Sequence, residues 1–556
     1  MSSKPQLTLT SKIIAYTPLV MVIAISPWQS LDSINLPKLL VLTTSAAALF
    51  GIGVFGEKLL KFKKLPRHIV AVYSFMILSM FLTVFLSGAP LIQQTYGVNG
   101  RNTGLIAYVA LIILALASIT NAQDQLVDKF VKNLMIGGQL TALYCLIQYL
   151  GVDPINWNNP YSPILGFLGN PNFASAFLGI SSVAAFTHVL SKTTKFKYRV
   201  IYGAQILLSI FLIFLSHSQQ GLLVFVAGTI VILSWKLYSS SKKLLLILFL
   251  SGSLIGGVIG ILGMLQVGPL AKFLYQSSIT FRGDYWRAAI QMVKENPIFG
   301  VGLDSYGDWY RRSRSMEATD RRGPSVVSNA AHNVYLDMLA NGGILLFAVY
   351  LASIILVILA VIRILKTPEN LSNSKLAMIA CWIAFQVQSV ISINQLGLVI
   401  WGWVLGGLII GIGIHRVPAT QKAQPPQSET APIQIVAAFL ASLIGLAIAF
   451  PPFYASAKFK SALESRNANA IMVAAKVFPY DPVRFTSGAE IFTENKMREK
   501  VIELLNISAE KFPSDFHTWE LISKSEYFTA AERKLALDRM KYLDPHNSTL
   551  KMMGES

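Results

Sequence analysis

Charge is what this sequence has least of. Charged residues fill 13% of 556 positions, about half the ~25% share usual in soluble domains. Acidic residues are the scarcer kind, 28 against 47 lysines and arginines. The chain has two cysteines, Cys145 and Cys381, and both lie in apolar runs, so no disulfide framework is indicated. Histidines number seven, and His68, His188, His415, His517 and His546 have no ligand spacing, so no metal site and no cofactor is expected. A cleavable leader is not expected either. The apolar run from Ile13 lacks a small-residue cleavage site and reads as a first span.

What is abundant is apolar sequence: 53% of residues are hydrophobic and mean hydropathy is +0.53. Runs of ~20 apolar residues between short basic connections predict membrane-spanning helices rather than a barrel. The expected fold is all-α, a polytopic transmembrane bundle of about twelve to thirteen spans. These fall near 13–31, 37–55, 68–87, 103–120, 131–150, 172–190, 199–216, 220–236, 243–265, 343–365, 375–393, 395–414 and 433–451. The turn at Ser216–Gly221 is so short that its two runs could form one broken helix, which would reverse the sidedness of everything after it.

Alternate connections carry the basic residues: Lys58 to Arg67, Lys129 and Lys132, Lys192 to Arg199, Lys236 to Lys243, Arg363 to Lys375, then Arg416 and Lys422. The intervening short ones hold little beyond Lys38 and Arg101. That asymmetry places the N-terminus in the cytoplasm. It also accounts for the net charge of +19 without nucleic-acid binding. The expected division is a membrane domain over 1–451, with a large extracytoplasmic loop at 266–342, and an extracytoplasmic helical tail over 452–556. A Gln/Pro/Ser-rich linker, Ala419–Ala431, precedes the last span. In the tail, Phe478-Pro479, Phe512-Pro513 and Leu543-Asp544-Pro545 recur 34 and 32 residues apart. That spacing fits degenerate tetratricopeptide repeats or a generic helical tail with chance prolines.

The loop holds the chemistry-bearing residues. Arg282-Gly283-Asp284-Tyr285-Trp286-Arg287 opens it, Asn296-Pro297 to Gly300-Val301-Gly302 follows, and Ala331-His332-Asn333 with Gly342-Gly343 closes it. Between them run Arg311, Arg312, Arg314, Arg321 and Arg322, read as a solvated, phosphate-facing surface. Gly300 and Gly302 read as turn glycines, because no strand precedes them for a nucleotide site. On the same side lie Tyr96 to Gly104 with Arg101, the Gly169-Asn170-Pro171-Asn172 cluster, and His217 in Ser216 to Gly221.

Taken together, the Arg282, Gly300-Val301-Gly302, His332-Asn333 and Gly342-Gly343 pattern resembles the O-antigen ligase and polymerase superfamily over residues 90–415. One departure is plain. Family members often carry Ser-Arg-Gly at the short outer turn, where this chain has Ser218-Gln219-Gln220-Gly221. The resemblance implies a membrane glycosyltransferase of polysaccharide biosynthesis in the cell envelope. It would take a glycan from a polyprenyl (undecaprenyl) diphosphate donor to a glycolipid, polysaccharide or protein acceptor. Transfer would occur at the outer face of the cytoplasmic (inner) membrane, with inversion and without metal.

It also implies roles. His332 and Arg282 would be catalytic, and Arg282, Arg101 and Arg287 would bind the donor diphosphate. Asn170, Asn172, Gln220 and Asn333 are candidate sugar or acceptor contacts. The chemistry fits these residue types: guanidinium forks stabilise a leaving diphosphate, and an imidazole can deprotonate a sugar hydroxyl. Each has a bland rival, an interfacial arginine reaching lipid headgroups for Arg282 and a helix cap for His332. Two other functions suit a many-spanned chain: a transporter or flippase of lipid-linked oligosaccharide, and a non-enzymatic membrane scaffold.

Overall fold

The computed structural model describes residues 7–55, 65–157, 159, 162–268, 271–274, 277–414 and 432–552. Every regular element among them is helical. Eleven helices are long and apolar enough to cross a membrane, and two shorter apolar ones, Leu9–Ile23 and Leu105–Asn121, pack among them. The chain is a polytopic helical bundle and a multi-pass membrane protein. Lys4, Lys58, Lys61, Lys63, Lys64, His415, Arg416, Lys422 and the Ala419–Ala431 linker lie outside the described residues.

Each expected span meets one of these thirteen helices, with shifted ends. The first stops at Ile23 instead of 31, because Ser26 and Ser30 bond each other and Ser26 N–H reaches the Ser33 carbonyl, which closes a turn around Pro27. At the bundle centre stands Leu396–Ile414, where Trp401 is fully buried with Phe130 and Phe177 rings at 5.2 and 5.5 Å. At the edge, Lys243–Met264 buries only Gly263. Lys38, an exception to the charge pattern, is fully buried and donates to the carbonyls of Ala24 (2.6 Å) and Phe167 (2.9 Å). It ties two turns together.

The turn at Ser216 is a true reversal. Pro171–Val189 packs against both Phe196–Leu215 and Gln220–Ser239. Tyr202 meets His188 at one end, and Leu212 and Ile213 join Ala174 and Leu178 at the other, so that neighbour runs antiparallel. Gly221 lies against Ser175, Phe225 against Phe186, and Lys236 reaches the Leu190 carbonyl, so the next runs parallel. The two runs are therefore separate antiparallel helices, turned at His217 with φ 57°. Small residues make the contact possible: a Cβ on Gly221 would stand 2.2 Å from the Ser175 carbonyl oxygen.

The two glycine pairs of the loop form one feature. Helix Val334–Leu365 is broken at Gly343, where φ is 66°. Residues 297–302 fill the break: Val301 and Gly302 donate to Ala340 and Asn341, and Ile344 donates to Pro297. The backbones touch so closely that a Cβ on Gly343 would fall 2.2 Å from the Ile298 oxygen, and one on Gly300 2.5 Å from Asn341. Only glycine combines that approach with positive φ.

The last apolar helix, Pro432–Ser465, runs through Pro451 and Pro452 into the tail without a stop. Beyond it, Pro482–Glu494 pairs with Arg498–Lys511, and Phe516–Lys524 with Ala530–Leu543. Each interval between the proline marks thus holds one helix pair, the unit a helix–turn–helix repeat requires.

Candidate functional site

His332 is placed by its neighbours. Helix Val334–Leu365 is capped by Asn333, whose Oδ1 accepts from Tyr335 and Leu336 N–H at 3.0 and 3.1 Å. The cap role considered for His332 therefore belongs to Asn333, and the oxygen that was a candidate sugar contact is taken. Just before His332, Ala331 N–H donates to Asp337 Oδ1 at 2.7 Å, and Arg101 Nη1 donates to the Asn329 carbonyl. Between these anchors His332 is held at φ 52°, a left-handed conformation that persists only where the surroundings over-determine it. Its ring stacks on Tyr285, centroids 5.3 Å apart at 28°, and neither ring nitrogen has a hydrogen-bond partner among the described residues.

Tyr285 belongs to helix Ser277–Glu295, which also carries Arg282, Asp284 and Arg287. One face of that helix packs Ala288, Ala289 and Met292 against Tyr306, Tyr310 and Ala331. The other presents the cations. Their pairing separates them. Arg287 shares the buried carboxylate of Asp284, at 3.6 Å, with Arg321 at 2.6 Å and Arg322 at 3.3 Å. Arg311 and Arg314 share Asp544, and Arg312 pairs with Glu295. Arg101 pairs through Nε with Asp304 at 3.1 Å. Arg282 alone in this set has no carboxylate partner among the described residues.

The run from Arg311 to Arg322 is accordingly not a uniformly solvated surface, although Arg321 is exposed. The side chains of Arg314 and Arg322 are 1% and 4% exposed, because acidic residues from distant segments meet them.

Charge and burial act on the two central groups. Burial and the neighbouring guanidiniums of Arg282 and Arg101 hold the His332 pKa down to about 4. Its imidazole is therefore neutral near pH 7. Burial lowers the Arg282 pKa but leaves a guanidinium charged. For Arg101, burial works against the charge while Asp304 and Asp337 outweigh it, and the pKa is raised. Arg101 is bound into the scaffold: Asp304 Oδ2 also accepts from Val98 and Thr103 N–H at 2.9 and 3.3 Å, closing the Tyr96–Gly104 turn onto the loop. Asp304→Asn is expected to destabilise the protein by about 3 kcal/mol, since it strands a buried guanidinium. Thermal unfolding in detergent measures this, and a loss under ~1 kcal/mol would show the pair to be dispensable.

The other candidates form a second polar cluster. Asn170 caps helix Pro171–Val189 by accepting from Asn172 N–H at 2.8 Å. Asn172 Oδ1 accepts from Ser218 Oγ, which also meets Ser175 Oγ, each at 2.8 Å. Gln220 is buried, and neither amide atom is hydrogen-bonded among the described residues. No hydrogen bond or ion pair joins this cluster to Arg282 or His332 among the described residues. Those residues contain no group of three or more His, Cys, Asp or Glu able to hold a metal.

Motif reading missed the acids that organise the site, Asp284, Asp304 and Asp337, and the stacking Tyr285. Their scarcity was the available signal: in a chain so poor in carboxylates, several fall in this one loop.

Comparison with known proteins points the same way. Residues 204–351 match the family model described as O-Antigen ligase, a stretch that contains both Arg282 and His332. Over 234 residues the chain is 24% identical to the exopolysaccharide production protein ExoQ of Rhizobium meliloti (strain 1021), covering 40% of this chain and 50% of that protein. The chain thus spans about half the length of that curated relative. These two likenesses, one to an O-antigen ligase domain and one to an exopolysaccharide production protein, support an O-antigen ligase-like superfamily for this chain.

Proposed function

We propose that the chain is a membrane glycosyltransferase that moves a glycan from a polyprenyl diphosphate to an acceptor hydroxyl. The reaction takes place at the outer face of the cytoplasmic membrane. One observation carries the reading: Arg282, which has no carboxylate partner among the described residues, lies one helical turn from the Tyr285 ring on which the unbonded His332 imidazole stacks. A free cation and a free base side by side suit a leaving anion and an attacking hydroxyl.

In the proposed step the acceptor oxygen attacks the anomeric carbon of the donor sugar. The hydroxyl proton passes to His332 as the bond between that carbon and the diphosphate oxygen breaks. The diphosphate leaves with the electron pair, opposite Arg282, and the anomeric centre inverts. Fixed donors aimed at developing charge act strongly in a partly dehydrated site. Binding the donor also arms the base. A diphosphate at Arg282 offsets the charge that depresses His332 and moves its pKa toward neutrality, where a general base works best. The acceptor class, whether glycolipid, growing polysaccharide or protein, is open in this reading.

The test is turnover by purified protein given lipid-linked glycan and an acceptor, without ATP or metal. Release of free polyprenyl diphosphate in step with glycan transfer is expected. Binding or translocation of the donor with no diphosphate released would favour a flippase.

A further inference from the structure

The tail is fastened to the very loop that carries Arg282 and His332, and one buried carboxylate makes the main joint. Asp544 follows helix Ala530–Leu543, and its side chain is fully enclosed. Arg314 Nη2 donates to both of its oxygens, at 2.9 and 2.7 Å, and Arg311 Nη1 meets it at 3.3 Å. The same two guanidiniums grip the loop backbone. Arg314 donates to the Val326 and Pro324 carbonyls at 2.9 and 3.0 Å, and Arg311 to Pro324 at 2.7 Å. Arg312 donates to the Tyr542 hydroxyl at 2.6 Å, and Arg311 lies over the Phe516 ring at 4.1 Å.

From Val326 the chain runs to Asn329, held by Arg101, and then to His332. The other end of the tail docks near Arg101 as well: Asn99 Nδ2 donates to Asp481 Oδ2 at 3.0 Å, and Tyr96 packs edge-on to Phe478. Asp481 and Asp544 both stand at the proline marks of the repeat. The repeat spacing therefore sets acids down on the membrane domain's polar loops.

We infer that Asp544 is a positioning residue, and that the tail clamps the segment leading to His332 so that the imidazole stays aligned with Arg282. The inference rests on the transferase reading of that pair. Charge-assisted bonds to a shared carboxylate are the strong kind. A carboxylate serving one buried guanidinium, Arg314, and one partly buried, Arg311, cannot be removed without leaving a cation that the interior does not tolerate. The segment 311–326 would then move out toward water, carrying the backbone before His332 with it.

The experiment uses the full chain in detergent or vesicles, parent against Asp544→Asn, with two readouts. Trypsin cleavage after Arg311, Arg312 and Arg314, followed by mass spectrometry, reports whether the segment is released. Transfer kinetics per intact molecule, over a pH series, report alignment. The variant is expected to be cut ~10-fold faster or more, and to lose on the order of 10- to 100-fold in kcat with a smaller change in donor KM, because slight misplacement of a catalytic group is that costly. The acidic limb of kcat/KM should move to higher pH, since a loosened His332 regains water.

Faster cleavage with parental kcat and pH profile overturns the inference: the tail would merely cover the loop. Cleavage no faster than parent overturns it too. If Asp544→Asn fails to insert, Arg311→Gln leaves Asp544 matched to Arg314 and should shift both readouts in the same direction, whereas parental values in both again overturn the inference. If the parent itself transfers no glycan, the transferase reading falls, while the cleavage arm still decides whether Asp544 holds the segment.

Discussion

Replacing His332 with Ala is expected to lower kcat by roughly 10²–10⁴ while donor KM stays near its parental value, the loss typical of a removed general base. The ring makes no hydrogen bond among the described residues and serves no cap, so its removal costs the fold little beyond one stack on Tyr285. Lipid-linked glycan should accumulate in cells that carry the variant, with insertion and amount unchanged. The parent's pH profile gives a second check. A histidine held down to about 4 stays neutral, and usable as a base, until the pH falls through that value. The acidic limb of kcat/KM should therefore lie near pH 4, and that of kcat higher, once bound diphosphate offsets Arg282.

The sign for stability follows. An unfolded histidine titrates near ~6.5 and takes up its proton first, so acid weakens the fold progressively between those two values. If His332→Ala retains transfer within a few-fold of the parent, the assignment of the base is wrong.

Arg282→Ala should cost on the order of 10²–10³ in kcat, the range for deleting one preorganised stabiliser of a leaving anion. Lys should recover part of this, since it supplies charge without the fork. The contrast with Arg287 makes the experiment decisive. That side chain is 66% exposed and shares Asp284 with two other arginines, so Arg287→Ala should fall within about 5-fold of the parent, the scale of an exposed pair. Arg282→Ala should also move the acidic limb of kcat/KM upward, because one of the charges depressing His332 is gone. The two positions should couple non-additively in a double-mutant cycle. Equal losses at 282 and 287 would mean that the cations act only as a diffuse positive surface.

Some of this was open to a reader of the chain alone. Spans are legible because a segment in lipid must satisfy its own backbone hydrogen bonds, so ~20 apolar residues declare a helix wherever they occur. The repeat marks at Pro479, Pro513 and Pro545 are legible for a similar reason, since each helix pair is a local unit. Arg282 and His332 were legible as a motif, and so were the glycines around 300 and 343, though not that all four glycines meet at one break.

What only the tertiary structure decided is which cations are free. The loop carries seven arginines, Arg282 to Arg322, and their local sequence does not say which of them are paired. Asp284, Asp544 and Glu295 reach six of them, from as far as 233 residues away, and leave Arg282. Ion pairing depends on distance in space, and nothing in local composition records it. Hydropathy is a property of each segment, so the sequence alone determines a many-spanned bundle with a polar loop and helical tail. The charge state and pairing of a buried group are properties of its surroundings, and the folded chain alone sets Arg282 beside a neutral His332.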